Sequence, residues 1–131
     1  MIDRRVIITA LAFAAGLAVS APALAFESKP FDVQTFAAAQ AAGKPILVEV
    51  TAPWSPTCKA QKPILSELML KDRFKDLVVF EIDFDTQKDL LRKFNVSMQS
   101  TLISYKGARE VGRSTGDTNA SSIEAQLDKS I

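Results

Sequence analysis

The sequence predicts an α/β domain in which a central mixed β-sheet is flanked by helices on both faces. Three observations lead there. Short β-rich apolar runs alternate with stretches of helical spacing. Each of the first two strands is separated from the next by a helical crossover, the connection that parallel strands require. The last two strands are joined by a tight glycine turn, which adds an antiparallel pair. The chain of 131 residues is the size of one domain with one sheet.

The elements follow in order. Thr35 to Ala42 is alanine-rich and stops at Gly43, a helix with a glycine terminator. Residues 46–50, ILVEV, are apolar without helical period and read as a buried central strand. Ala52-Pro53-Trp54 is a loop, and Ser55-Pro56 supplies an N-cap and a first-turn proline for the next helix. Ile64, Leu65, Leu68 and Met69 recur on one side of that helix, and Pro63 inside it predicts a kink. Residues 77–82, LVVFEI, form a second buried strand, and 83–86 a polar turn. Residues 88–94 form a short helix with Leu90, Leu91 and Phe94 on one side. Residues 101–105, TLISY, are a third strand, and Lys106-Gly107 turns it back into 110–113. Ser121 and Glu124 have capping-box spacing for a last helix carrying Ile123 and Leu127.

Residues 1–25 read as an export signal rather than as part of the domain. Arg4 and Arg5 precede the apolar run Val6–Val19, and Ala23-Leu24-Ala25 is a small-x-small cleavage site. The run is short for a membrane span, which needs roughly 20 residues, so no stable membrane insertion is expected after cleavage. The mature domain is then 26–131, beginning at Phe26, in the periplasm or outside the cell.

Formal net charge is +1, and losing Arg4, Arg5 and Asp3 with the leader leaves acid and base in balance. Such a balance gives no electrostatic reason to expect a nucleic-acid partner. The chain has no histidine and one cysteine, Cys58. That excludes Ser/His and Cys/His catalytic pairs, an intramolecular disulfide and a cysteine metal cluster. No metal and no cofactor are expected. Asp83, Asp85 and Asp89 lack the glycine and terminal glutamate of a calcium loop and read as a solvated turn. A lone cysteine in an oxidising compartment is either a buried inert thiol or a reactive one with an external partner.

Residues 46–65, ILVEVTAPWSPTCKAQKPIL, resemble the active-site strand, loop and helix of the thioredoxin family. That family's pattern is a strand, Ala-x-Trp-Cys-x-x-Cys-Lys, and a proline five residues after the second cysteine. Trp54, Cys58, Lys59 and Pro63 stand at those places. The resemblance extends through Ile82-Asp83, through FNVSMQSTLISYKG at 94–107, and to Gly116. It spans roughly residues 31–131 and implies a thioredoxin fold, with Trp54, Ser55, Pro56, Thr57, Cys58 and Lys59 as the active-site motif. Gln99, Ser100 and Thr101 take the place of the family's cis-proline loop, which offers backbone groups to a substrate peptide.

Two positions depart from the pattern. Ser55 replaces the first cysteine, the family's nucleophile, which sits where free helix N–H groups favour a thiolate. Without a histidine base, Ser55 cannot do that work and reads as an N-cap. Ser100 replaces the cis-proline; a cis bond before a non-proline residue costs about 2.5–4 kcal/mol, so a trans Gln99–Ser100 bond and a rebuilt loop are expected. Glu49 stands where the family more often has aspartate. If it points inward it is a base near Cys58 with a raised pKa; otherwise it faces a polar gap or pairs with Lys59 or Lys62. Trp54 either packs over the site or covers the core.

Three readings of the function stand side by side. In the first, Cys58, the only thiol and hence the catalytic candidate, carries out monothiol exchange or forms mixed disulfides with a partner protein or glutathione. A Cys58–Cys58 dimer is a variant of that chemistry. In the second, the fold is a non-catalytic protein-binding module and Cys58 is a small buried hydrophobe. The third is ordinary thioredoxin-like disulfide reduction. It fits the chemistry least, because an intramolecular dithiol cycle needs two cysteines. Whether the chain is an enzyme therefore turns on Cys58.

Overall fold

The computed structural model describes residues 28–131; the expected export signal lies outside them. The elements are β1 (Lys29–Pro30), α1 (Val33–Ala41), β2 (Pro45–Thr51), α2 (Pro56–Leu68), a single 3-10 turn at Asp72–Phe74, β3 (Val78–Asp83), α3 (Lys88–Lys93), β4 (Thr101–Lys106), β5 (Arg109–Thr115) and α4 (Ala120–Asp128). They build one five-stranded mixed sheet in the order β1-β3-β2-β4-β5. β1, β3 and β2 run parallel, while β4 pairs antiparallel to β2 and to β5. The expected mixed sheet with helices on both faces is what forms.

Side chains alternate across a strand, and β2 shows what this does. Ile46, Val48 and Val50 point to one core with Phe31, Phe36, Phe80 and Phe94. Leu47 points to the other, with Leu65, Leu68, Ile123 and Leu127 of α2 and α4. Glu49 therefore faces α2. The first core is largely aromatic: Phe36 lies edge-on to Phe80, Phe94 and Tyr105 at 5.5–5.6 Å between centroids, a geometry that adds to area burial.

Several boundaries differ from the sequence reading, each for a local reason. α1 starts earlier than Thr35, because Asp32 caps it, its carboxylate accepting from the Thr35 N–H at 2.8 Å. Ser121 does not cap α4, so the expected capping box does not form. Asn119 takes the role, accepting from the Ser122 N–H at 3.0 Å. The Glu124 carboxylate instead binds Lys71 and Arg73. β5 is longer than 110–113, and the two-residue β1 and the 3-10 turn carry no periodic pattern that a sequence reading could detect. Gly43 ends α1 in the left-handed region as expected, and Gly107 turns the β4–β5 hairpin with φ +60°. A side chain on Gly107 would meet the Gly43 backbone at 3.2 Å. α2 runs through Pro63 to Leu68. Among the described residues no helix is long and apolar enough to cross a membrane.

Candidate functional site

The site forms where the N-terminus of α2 meets the loop entering β4. Ser55 has extended backbone angles and its Oγ accepts from the Cys58 N–H at 3.2 Å, the N-cap bond expected of it. Pro56 follows in the first turn, where its missing N–H is not needed. This places Cys58 in the first turn, among the free N–H groups that favour an anion. The thiol is nevertheless covered: Cys58 is 3% exposed and Ser55 is fully buried.

The covering group from the opposite loop is Ser100. Its Oγ shares a hydrogen bond with the Cys58 sulfur at 3.0 Å and lies 3.4 Å from Ser55 Oγ. The Val50 carbonyl lies 4.0 Å from the same sulfur. Burial pushes the Cys58 thiol up; the Ser100 and Ser55 hydroxyls and the Ala52 backbone pull it down further, leaving it below the ordinary thiol value.

No cis peptide bond occurs among the described residues, so the Gln99–Ser100 bond is trans as expected. In this loop Ser100 has φ +63°, in the left-handed region where a residue with a Cβ is disfavoured. Its N–H donates to the Val50 carbonyl at 2.8 Å, and its carbonyl accepts from the Gly116 N–H at 2.9 Å. Thr101 is buried and its hydroxyl donates to the Met98 carbonyl at 2.7 Å, closing the turn. Gln99 is half-buried.

Glu49 resolves into two of its alternatives at once. It points inward, 1% exposed, and its Oε2 accepts from Lys62 Nζ at 3.3 Å. Lys62 also donates to Glu81 at 3.3 Å. Lys59 is exposed and is not the partner. Burial raises the Glu49 carboxyl above its ordinary value, with Lys62 opposing and Glu81 adding to the rise. Its Oε1 is buried without a hydrogen-bond partner. No hydrogen bond joins Glu49 to Cys58.

Trp54 belongs to neither core. It is 55% exposed, and its Nε1–H donates to the Asp85 carboxylate at 2.9 and 3.2 Å. The indole lies edge-on to Phe84 at 6.5 Å. Asp85 is thus more than a solvated turn residue. Pro56 is exposed and Thr57 half-buried on the first turn of α2. Gln61 escaped the sequence reading, because a helical glutamine is by default a surface residue. It is 1% exposed and faces the Ser100 loop. The signal in the sequence was its spacing, three residues after Cys58 and so on the same helix face.

The arrangement can do limited chemistry. It holds one buried thiol, held below the ordinary thiol value by neighbouring hydroxyls, and no second thiol that could resolve an adduct. No group of acidic or cysteine side chains among the described residues could hold a metal ion.

Comparison with known proteins adds to this geometry. The protein-family model for thioredoxin matches residues 27–129. A thioredoxin of Mycobacterium tuberculosis is 34% identical over 84 residues, covering 64% of this chain and 72% of that protein. The bifunctional thioredoxin reductase/thioredoxin of Mycobacterium leprae is 34% identical over 85 residues, 65% of this chain but only 18% of that longer protein. Among solved structures, Trxlp from Edwardsiella tarda superposes with a TM-score of 0.74 at 44% identity, over 77% of this chain and 98% of that one. Mitochondrial thioredoxin 3 of Saccharomyces cerevisiae gives 0.66 at 20% identity, over 77% and 92%, a likeness of fold alone.

Proposed function

The chain belongs to the thioredoxin family, and on that footing we propose that it is an exported redox protein that works through one thiol. The Cys58 thiolate attacks a disulfide of a partner protein or of oxidised glutathione. One Cys58–sulfur bond forms, the partner's S–S bond breaks, and the departing sulfur leaves as a thiolate. A second, external thiol such as glutathione then attacks the mixed disulfide and returns Cys58 to its reduced form. The observation that carries this reading is the Ser100 hydroxyl 3.0 Å from the sulfur, at a helix N-terminus. A hydroxyl there can donate to a thiolate, and an inert core cysteine has no need of one.

A second reading is favoured by a different observation. Cys58 is 3% exposed while Trp54 and Met98 are 55% and 51% exposed. That surface suits a binding module that holds a protein partner without chemistry. The rate of reaction of native Cys58 with an aromatic disulfide separates the two. Reaction in the folded protein at neutral pH supports monothiol exchange; reaction only after unfolding supports the binding module. Under either reading, insulin reduction stays a small fraction of a two-cysteine thioredoxin's rate, and a comparable rate would refute both. Export predicts a periplasmic protein whose mass begins at Phe26; an intact Met1 start in the membrane fraction would refute the cleavage.

A further inference from the structure

Gln61 makes two hydrogen bonds that a side chain at this position has no local reason to make. Its Nε2 donates to the Asp117 carbonyl at 2.8 Å and to the Ser100 carbonyl at 3.3 Å. Both partners are backbone carbonyls, so the amide nitrogen must be the atom facing them. Burying a primary amide is unfavourable unless such bonds are made. Cys58 and Gln61 share one face of α2, one turn apart. The helix that supplies the thiol therefore also grips the loop that covers it.

What Gln61 grips is a residue in a disfavoured conformation. Ser100 has φ +63°, and a serine returns to negative φ unless its backbone is held. Three bonds hold it: its N–H to Val50, and its carbonyl to Gly116 N–H and to Gln61. Only the last comes from a side chain, and only it comes from the helix bearing Cys58. Relaxation of φ would swing the Ser100 Cβ and carry Oγ away from both Ser55 Oγ and the Cys58 sulfur. We propose that Gln61 is a positioning residue that holds Ser100 in its left-handed conformation and so keeps the Ser100 hydroxyl on the Cys58 sulfur. The proposal deepens the monothiol reading and rests on it.

The test follows the rate of Cys58 alkylation by iodoacetamide against pH in the purified protein. Four forms are compared: wild type, Gln61→Met, Ser100→Ala and the double variant. Methionine keeps the volume of glutamine and removes the donor. In Gln61→Met the midpoint rises by roughly half a pH unit, the effect of partly weakening one hydrogen bond from a hydroxyl to the thiolate. Ser100→Ala also raises it, and adding Gln61→Met to Ser100→Ala raises it no further, since the two act along one path. If Gln61→Met is less stable but keeps the wild-type midpoint while Ser100→Ala moves it, Gln61 only packs the loop and the proposal is overturned, with the monothiol reading intact. If Ser100→Ala leaves the midpoint unmoved, Ser100 does not act on the thiol and the underlying reading fails first. Should Gln61→Met not fold, the wild type still decides. The side-chain amide resonances of Gln61 shift across the Cys58 midpoint if the two are coupled, and flat resonances overturn the proposal.

Discussion

Ser55 and Ser100 touch: their hydroxyl oxygens lie 3.4 Å apart, both buried, with the Cys58 sulfur beside them. These are the two positions at which the chain departs from its family's pattern, and the fold brings them into one contact. Each hydroxyl helps to satisfy the other. Changing one therefore alters the surroundings of the other, and substitutions at the pair are expected to be non-additive.

Ser55→Cys places a second thiol at the N-cap of α2, three residues before Cys58. The pair is expected to form an internal disulfide under mild oxidation, read by thiol titration and mass. The reduced variant loses the N-cap oxygen that accepts from the Cys58 N–H, a loss of about 1 kcal/mol in denaturant unfolding. Insulin reduction should rise above the wild-type level. Failure to form the disulfide would show that α2 does not begin as described.

Ser100→Pro meets a backbone it cannot adopt. Proline holds φ near −65°, whereas Ser100 stands at +63°, and its N–H donates to Val50 at 2.8 Å. Built on the present loop, the substitution should destabilise by about 3 kcal/mol. A measured loss of only a few tenths of that would show that the loop rebuilds around the proline. In that case Ser55→Cys with Ser100→Pro should reduce insulin faster than Ser55→Cys alone.

The stability of the protein should carry a signature of Glu49 in its pH dependence. The folded-state value of this carboxyl is raised, first by burial. Below the ordinary glutamate range both states hold a neutral carboxyl, and the folded chain keeps its full advantage. As pH rises through the folded value, the folded chain must bury a charge that the unfolded chain carries in water, and stability falls. Glu49→Gln stays neutral, so relative to wild type it gains across that window. Urea unfolding from acid to neutral pH measures the difference. A wild type that instead gains on the variant as pH rises would mean that Lys62 outweighs burial.

Trp54 is the single tryptophan, so its fluorescence reports the Asp85 contact directly. Asp85→Ala removes the acceptor of the indole N–H. The emission maximum should move and the rotational freedom of the ring should increase, with a stability loss of about 1 kcal/mol. Unchanged emission and anisotropy would mean that the indole is held by Phe84 and the loop rather than by the carboxylate.

Much of the fold was legible because its signals are local. The strand at 46–50, the Gly43 stop, the Ser55-Pro56 start and the Lys106-Gly107 turn each depend on residues within a turn of one another. At α4 the same kind of signal misled. Ser121 and Glu124 have the right spacing, but Asn119 reaches the first free N–H groups sooner, and Glu124 is drawn off by Lys71 and Arg73 from another element.

By itself the sequence determined the order of elements, a helix N-terminus carrying the only thiol, and the loss of a two-cysteine cycle. It also favoured a trans Gln99–Ser100 bond, because a non-proline cis bond is costly, and the structure decided it. Only the tertiary structure decided what surrounds that thiol. Ser100 lies 42 residues from Cys58 in the chain and Gln61 lies 39 from Ser100, so no periodicity or local preference couples them. The choice of Lys62 over Lys59 for Glu49 depended on which side of α2 faces β2, and the outward position of Trp54 on where Asp85 lands. Local propensity acts over a few residues. The thiol's environment is set by long-range packing, which holds a serine in a conformation its own sequence would not select.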